Sequence, residues 1–377
     1  MNTTFPNATQ RTAAPFRHDI VGSFLRPVAI KEARAKFAAG EITAAELRKV
    51  EDEEITKLVQ KQKEVGLKGV TDGEFRRSWF HLDFFWGFDG VEKRQVDTKF
   101  AFHETELRPE TATLTGKIGF TSHPHVEDFK FLKSVAGDDV LPKQSIPSPA
   151  QFLQELRRPE NKANTEALYP NVADLLTDIA TAYNKAILAF YEAGCRNIQV
   201  DDCTWGVLCD PKWKAILEKQ GIDFTQALKT NVELNNKALE GLPSDLIITT
   251  HVCRGNYKSD WLAEGSYNAV AELLGASNVD GFYLEFDTDR AGGFEPLRYL
   301  KGKQVVIGIV SSKFGELEDR EQIVARIQEA AKIVDINQIS ISTQCGFAST
   351  EEGNVLTEEQ QWNKLRFIKE IADSIWH

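Results

Sequence analysis

No apolar run in this chain of 377 residues approaches the ~18 residues that a membrane span needs. Positive charge is also scarce. Lys and Arg number 45 against 56 Asp and Glu, which leaves a net charge of -11. That balance argues against a nucleic-acid partner, whose phosphates want a basic face. The first sixteen residues, MNTTFPNATQRTAAPF, lack the apolar core of a signal peptide, so a cytoplasmic protein is expected. The sequons at Asn2-Thr3-Thr4 and Asn7-Ala8-Thr9 matter only in a secreted chain. Cysteine is sparse and odd in number, five in all, with no Cys-x-x-Cys pair, which favours reduced thiols over a disulfide framework. For Cys195, Cys203 and Cys209 the bland role is that of small buried apolar side chains. Repeats, low-complexity tracts and Gly/Ser linkers are absent as well, so one domain over 1–377 is expected.

What is present is a folded-protein composition, 42% hydrophobic and 27% charged, with eight short apolar runs. They lie at His18–Ser23, Gly69–Glu74, Val140–Ile146, Asn197–Asp202, Leu246–Cys253, Gly281–Asp287, Val305–Ser312 and Ile339–Gly346. Runs rich in β-branched residues without alternation predict strands buried on both faces. Helical patterns separate most of them. Thr43-Ala44-Ala45-Glu46 forms a capping box before an apolar face of Leu47, Val50, Ile55, Leu58 and Val59. Further helices are expected over 171–193, 222–240, 265–274 and 320–334, and a last one opens at the box Thr357-Glu358-Glu359-Gln360. Eight strands alternating with helices predict an α/β fold, a (β/α)8 TIM barrel, with a doubly wound open sheet as the alternative. The stretch 90–137 breaks the alternation with runs such as Lys99–His103 and Ala112–Thr115. It is expected to be an inserted β-hairpin arm after the second strand, packing on the barrel or on a partner subunit in a homodimer.

Polar groups at strand ends matter because a barrel puts its active site at that face. His251 and Cys253 stand two apart at the end of the fifth run, so their side chains share a side. Glu285 ends the sixth run and Cys345 the eighth. Two thiolates, an imidazole and a carboxylate make a set suited to tetrahedral zinc. Each residue taken alone also reads blandly, as core packing, a hydrogen-bonded rim histidine or a loop cap. The aromatic run Trp79, Phe80, Phe84, Phe85 and Trp86, with His81, reads either as a wall for a flat ligand or as a satellite cluster under the arm. His123 and His125 have metal-ligand spacing but no cysteine beside them in sequence.

At this point the chain resembles the cobalamin-independent methionine synthase family. His251-Val252-Cys253, Glu285 and Cys345-Gly346 are similar to the zinc ligands of its C-terminal catalytic barrel. Val21-Gly22-Ser23-Phe24 resembles its Ile-Gly-Ser-Phe motif, Asp72-Gly73-Glu74 its Gly-Glu segment, and Ile198-Gln199-Val200-Asp201 its Gln-(Ile/Val)-Asp motif. The order is kept across essentially the whole chain. Its length suits a short single-barrel form without the extra N-terminal barrel.

The resemblance implies a zinc-dependent methyl transfer to the thiol of homocysteine, giving methionine. It implies that Gly22 and Ser23 hold the amino-acid carboxylate and that Glu74 and Asp201 hold the ammonium. The competing role of Glu74 is a salt bridge to Arg76 or Arg77, and that of Asp201 a cap or loop bond. Trp205 is a candidate donor contact. The methyl donor stays open between methyltetrahydrofolate and a methyl-corrinoid. Where the family has a folate-associated Trp this chain has Glu155, and where it has a proton-transferring His the chain has Lys313, here a candidate catalytic group. Another thiol acceptor, or a non-catalytic barrel with a structural zinc, are the other functions this pattern allows.

Overall fold

The computed structural model describes residues 5–96, 109–219 and 221–377; the sequon at Asn2 and the run Lys99–His103 lie outside them. Ten strands are described: β1 (Gly69–Val70), β2 (Asp89–Gln95), β3 (Glu110–Gly119), β4 (Leu141–Pro142), β5 (Gln144–Pro147), β6 (Asn197–Asp201), β7 (Ile247–Val252), β8 (Gly281–Glu285), β9 (Gln304–Val310) and β10 (Ile339–Thr343). β5 to β10 form one parallel six-stranded sheet in sequence order. We call it the arc. β5, β6, β8 and β10 are buried along their whole length, as strands covered on both faces must be. The register puts Asp201 beside His251 and Glu285 beside Gly308.

The fold is thus mixed α/β, with helices between most strands. Helix Ala44–Glu64 starts at Thr43 in the expected capping box and buries Ile55, Leu58 and Val59. Helix Glu358–Ile375 starts at the expected Thr357–Gln360 box and buries Leu365, Ile368, Ile371 and Ile375. Helices Val172–Glu192 and Phe224–Ala238 cover the outer face of the arc, with Ile179, Tyr183 and Ile187 inside. A separate small apolar cluster is formed by Val21, Tyr283 and Val306. Among the described residues no helix is long and apolar enough to cross a membrane.

The first two expected strands differ from the other six. His18 makes a single bridge to Ile341, with Asp19 N donating to Ile341 O and Ile341 N to Arg17 O. β1 is two residues long and pairs with β4, one residue ahead of β5. The reason β1 stops lies in one side chain. The Gln62 amide donates to Thr71 O at 2.8 Å and accepts from Thr71 N at 3.0 Å, so both backbone groups of Thr71 are taken. The first segment meets β1 through other bonds: Thr71 Oγ1 to Gly22 O, and Phe24 N to Gly73 O at 3.1 Å. Arg26, buried, donates to Phe24 O, Ala348 O and Arg77 O and so ties both segments to the loop after β10. We call this junction the seam. The hydrogen-bonded sheet therefore has six strands where eight were expected.

β2 and β3 form an antiparallel pair within the stretch expected as an arm. Glu110 to Leu114 are buried, and Asn161 donates to Thr111 while Tyr169 OH accepts from Ile118 N. The end of the same stretch is a helix, Pro124–Ala136, which begins with Pro at its first turn and lies on the crossover between β1 and β4.

Candidate active site

The side chains at the C-terminal ends of the arc converge. One ligand atom each from His251, Glu285 and Cys345 lies within 4.8 Å of the others, and all three residues are buried. Cys253 is not within that span of all three. It joins through Cys345, with the two sulfurs 3.8 Å apart. Two thiolates held about 2.3 Å from a tetrahedral zinc sit about 3.8 Å from each other, so the sulfur spacing fits the ion. The donor set of two sulfurs, one imidazole and one carboxylate is likewise a zinc set.

Neighbours fix each member. Asp201 Oδ1 lies 3.2 Å from His251 Nδ1 and accepts from Gln199 Nε2 at 2.7 Å. A carboxylate behind a histidine orients the ring; the other nitrogen, Nε2, faces the last loop and lies 3.2 Å from Gln344 O, next to Cys345. Burial opposes the charged imidazole, but the Asp201 bond and the Cys345 sulfur outweigh it and push His251 up to about 9. The Cys345 thiol is pushed well up by the Cys253 sulfur beside it and by burial; a bound divalent cation reverses such a push. Glu285 accepts from Arg254 N at 3.0 Å and from Arg290 at 3.3 Å, while the Tyr267 hydroxyl accepts from Glu285 N.

These residues border a small cleft whose lining includes Val21, Ser23, Glu74, Phe80, Asp201 and Ser349 with His251, Cys253 and Cys345. Ser23 accepts from Ala348 N, and a Cβ on Gly346 would collide with Ser23 Oγ, so only glycine lets the loop after Cys345 lie against Ser23. Gly22, at φ 135°, makes the turn that delivers Ser23. Glu74 sits at φ 60°, an uncommon backbone for a non-glycine residue. Its Oε1 accepts from Ser145 at 2.9 Å and lies 3.5 Å from Arg77, so the salt bridge expected as its competing role exists. Its Oε2 is buried without a hydrogen-bond partner. Burial raises the Glu74 carboxyl above its ordinary range, Arg77 pulls it back, and Asp201 pushes it further up.

Two expected site residues stand elsewhere. Trp205 lines a separate cavity with Ile146, Tyr183, Val200 and Thr250. Val200 and Thr250 alternate with Asp201 and His251, so that cavity is on the opposite face of the arc. Helix Cys203–Cys209, capped by Asp202, carries Trp205 there. Lys313 is buried, and its Nζ donates to Asn256 Oδ1 and Asp260 O at 2.9 Å, with Gly255 O at 3.4 Å. It is absent from the cavity lining. Glu155 is also away from it, accepting from Thr111, Ala112 N and Arg158 beneath β3.

Sequence reasoning missed Ser145, Ser349 and Asn256. Ser145 lies inside the third apolar run and Ser349 beyond the eighth, where no spacing marks either, and Asn256 had only its place three residues after Cys253 as a signal. The aromatic run divides: Phe80 reaches the cavity, while Phe85 and Phe88 stack on Phe152. His123 and His125 pack on Phe84, and His123 is bonded to Phe84 O.

With that geometry in place, the fold is the mixed α/β arrangement of methionine synthase-like structures. The chain belongs to the cobalamin-independent synthase family: the family model described as the catalytic domain of cobalamin-independent synthase matches residues 16–93 and 170–372. It is 49% identical over 367 residues to the uncharacterized protein YxjH of Bacillus subtilis, covering 96% of this chain and 95% of that one. A methionine synthase of Saccharolobus solfataricus is 23% identical, over 87% of this chain and 86% of its own length. Among solved structures, a Listeria monocytogenes protein provisionally described as a vitamin-B12-independent methionine synthase is 42% identical. It superposes with a TM-score of 0.77, covering 97% of this chain and 100% of that one. A B12-independent methionine synthase from a Shewanella species, solved with selenomethionine, shares the fold at 19% identity and a TM-score of 0.68, covering 95% of this chain and 96% of its own.

Proposed function

We propose that this chain is a zinc-dependent methyltransferase that moves a methyl group to the thiol of homocysteine, giving methionine. The observation that carries the reading is one cleft with two chemistries: a cluster of sulfur, imidazole and carboxylate, and the buried acids Glu74 and Asp201 in the same lining, Asp201 directly beside His251. A thiol at one end of a small amino acid and an ammonium at the other fit that pairing.

In this reading His251, Cys253, Glu285 and Cys345 hold the ion. When bound, zinc supplies the positive charge that keeps an incoming thiol deprotonated and nucleophilic. The chain's own residues do the rest. The unpartnered Oε2 of Glu74 and the carboxylate of Asp201 accept from the substrate ammonium. Ser23 and the backbone near Gly22 take its carboxylate. Holding both ends aims the sulfur at the donor, and positioning of this kind lowers the barrier without further chemistry from the protein. Phe80 and Ser349 flank the space that remains for methyltetrahydrofolate or a methyl-corrinoid. The same reading takes the arc, β1 and the first segment as one closed (β/α)8 barrel in a single domain, supported by the backbone bonds at both edges of the arc.

The test is a donor screen. Zinc-loaded protein and homocysteine are supplied separately with methyltetrahydrofolate, its polyglutamate form and methylcobalamin, and methionine is measured. Methionine from one of the three, lost when homocysteine is replaced by a thiol of similar size without the amine, is expected. No methionine from any donor contradicts the proposal.

A further inference from the structure

Asn256 stands three residues after Cys253, and its amide joins three loops. Oδ1 accepts from Lys313, which follows β9. Nδ2 donates to Gly346 O at 2.9 Å and to Ser349 Oγ at 3.2 Å, both on the loop that follows β10. Gly346 is the neighbour of Cys345, and Ser349 Oγ lies 3.7 Å from Cys345 Sγ. Ser312 adds a parallel bond to Gly346 O at 2.9 Å. Farther out, Asn354 donates to Ser312 O and accepts from Ser259 N. Between the two ties, Lys258 and Ser259 hold φ values of 49° and 67°. Such left-handed residues persist only where their surroundings over-determine them.

We propose that Asn256, with Lys313 behind it, is the positioning residue that sets the distance between the Cys253 and Cys345 sulfurs. Without this tie the two cysteines belong to separate loops on β7 and β10, with β8 and β9 between them in the arc. With it, a single planar amide spans them, and the sulfurs stand 3.8 Å apart. Lys313 then acts as a fixed strut: its three N–H groups face three oxygens, and none is left to carry a proton into the cleft. The inference rests on the zinc reading above and adds to it the group that prepares the site.

The test measures zinc content and affinity by competition with a chromogenic chelator on the full chain. The variants are Asn256→Ala, Asn256→Asp, Lys313→Met and Ser349→Ala. The tie predicts one zinc per wild-type chain and affinity lowered about 10–100-fold in Asn256→Ala, the range for groups that orient metal ligands. Asn256→Asp keeps the partner of Lys313 but loses the donor to Gly346 O, so it weakens binding nearly as much. Lys313→Met weakens it too, while leaving the pH dependence of turnover unchanged. Ser349→Ala removes one arm of the tie and gives a reading even if the Asn256 variants do not fold; its affinity falls several-fold. Wild-type protein that takes up no zinc overturns the metal reading. Variants that hold zinc as tightly as wild type, or a Lys313→Met that alters only the pH profile, overturn this inference alone.

Discussion

The arc and the seam sit side by side around one cleft, yet different bonds build them. In the arc, consecutive strands exchange backbone bonds in register, and the chemistry-bearing side chains project from ladder positions such as Asp201, His251 and Glu285. In the seam, side chains replace the ladder. Gln62 occupies Thr71, Thr71 reaches Gly22, and the buried Lys143–Asp19 pair at 3.5 Å fastens the first segment to the chain beside β5. Of the proposed metal ligands, His251 and Glu285 stand on arc strands, and Cys253 and Cys345 on the loops that leave β7 and β10. The residues proposed to hold the amino-acid ends divide: Asp201 is on the arc, while Ser23 and Glu74 are on the seam, where Gly22 and Glu74 adopt positive φ. A ladder repeats one geometry along its length. Ionic and amide side chains allow the backbone to turn and present a carboxylate at an angle that a strand does not offer.

The comparison breaks most completely at the arc. Cys345→Ser is expected to strip zinc from the purified chain and to reduce methyl transfer by more than the ~10–100-fold typical of an outer partner's loss. Metal analysis and turnover on the same preparation check both. The seam breaks next. Gln62→Leu leaves Thr71 N and O buried without partners, which costs about 2–6 kcal/mol of folding stability at ~1–3 kcal/mol for each orphaned group. Urea unfolding reads the difference, and a loss below ~1 kcal/mol would show that the amide is dispensable.

Glu74→Gln sharpens the division of labour. Zinc content should stay at the wild-type level while the KM for homocysteine rises about 30-fold, or ~2 kcal/mol. An unchanged KM would leave Glu74 with Arg77 as its whole role. The smallest effect concerns acid. His123 caps the crossover helix between β1 and β4, and burial lowers its pKa to about 4. Its folded value lies below the unfolded one of ~6.5, so the unfolded chain takes up more protons. The stabilisation is full above pH ~6.5 and lost as pH falls toward 4, about 2 kcal/mol by pH 5. Thermal midpoints at pH 7 and 5 should show the loss, and His123→Gln should reduce it.

Much of the arc was legible because its strands are rich in β-branched residues and have polar or sulfur groups at or just past their ends, as at Ile247–Cys253 and Val305–Ser312. His251 and Cys253 were legible as a same-side pair by period two. That period also explains where Trp205 stands: it follows the strand that carries Asp201 but turns to the face of Val200. The seam was less legible. His18–Ser23 and Gly69–Glu74 have the composition of strands, and the partner that ends β1 is a glutamine on a helix several residues upstream. No local pattern marks that bond. The tie at Asn256 was hidden for the same reason, since its partners lie about 57 and 90 residues away, where no spacing rule reaches.

The most direct measurement is zinc X-ray absorption on the full chain with and without homocysteine. The account predicts two sulfurs at about 2.3 Å with one nitrogen and one oxygen donor in the free protein, and a third sulfur on adding homocysteine. A shell that keeps the same sulfur count when homocysteine is added would contradict it.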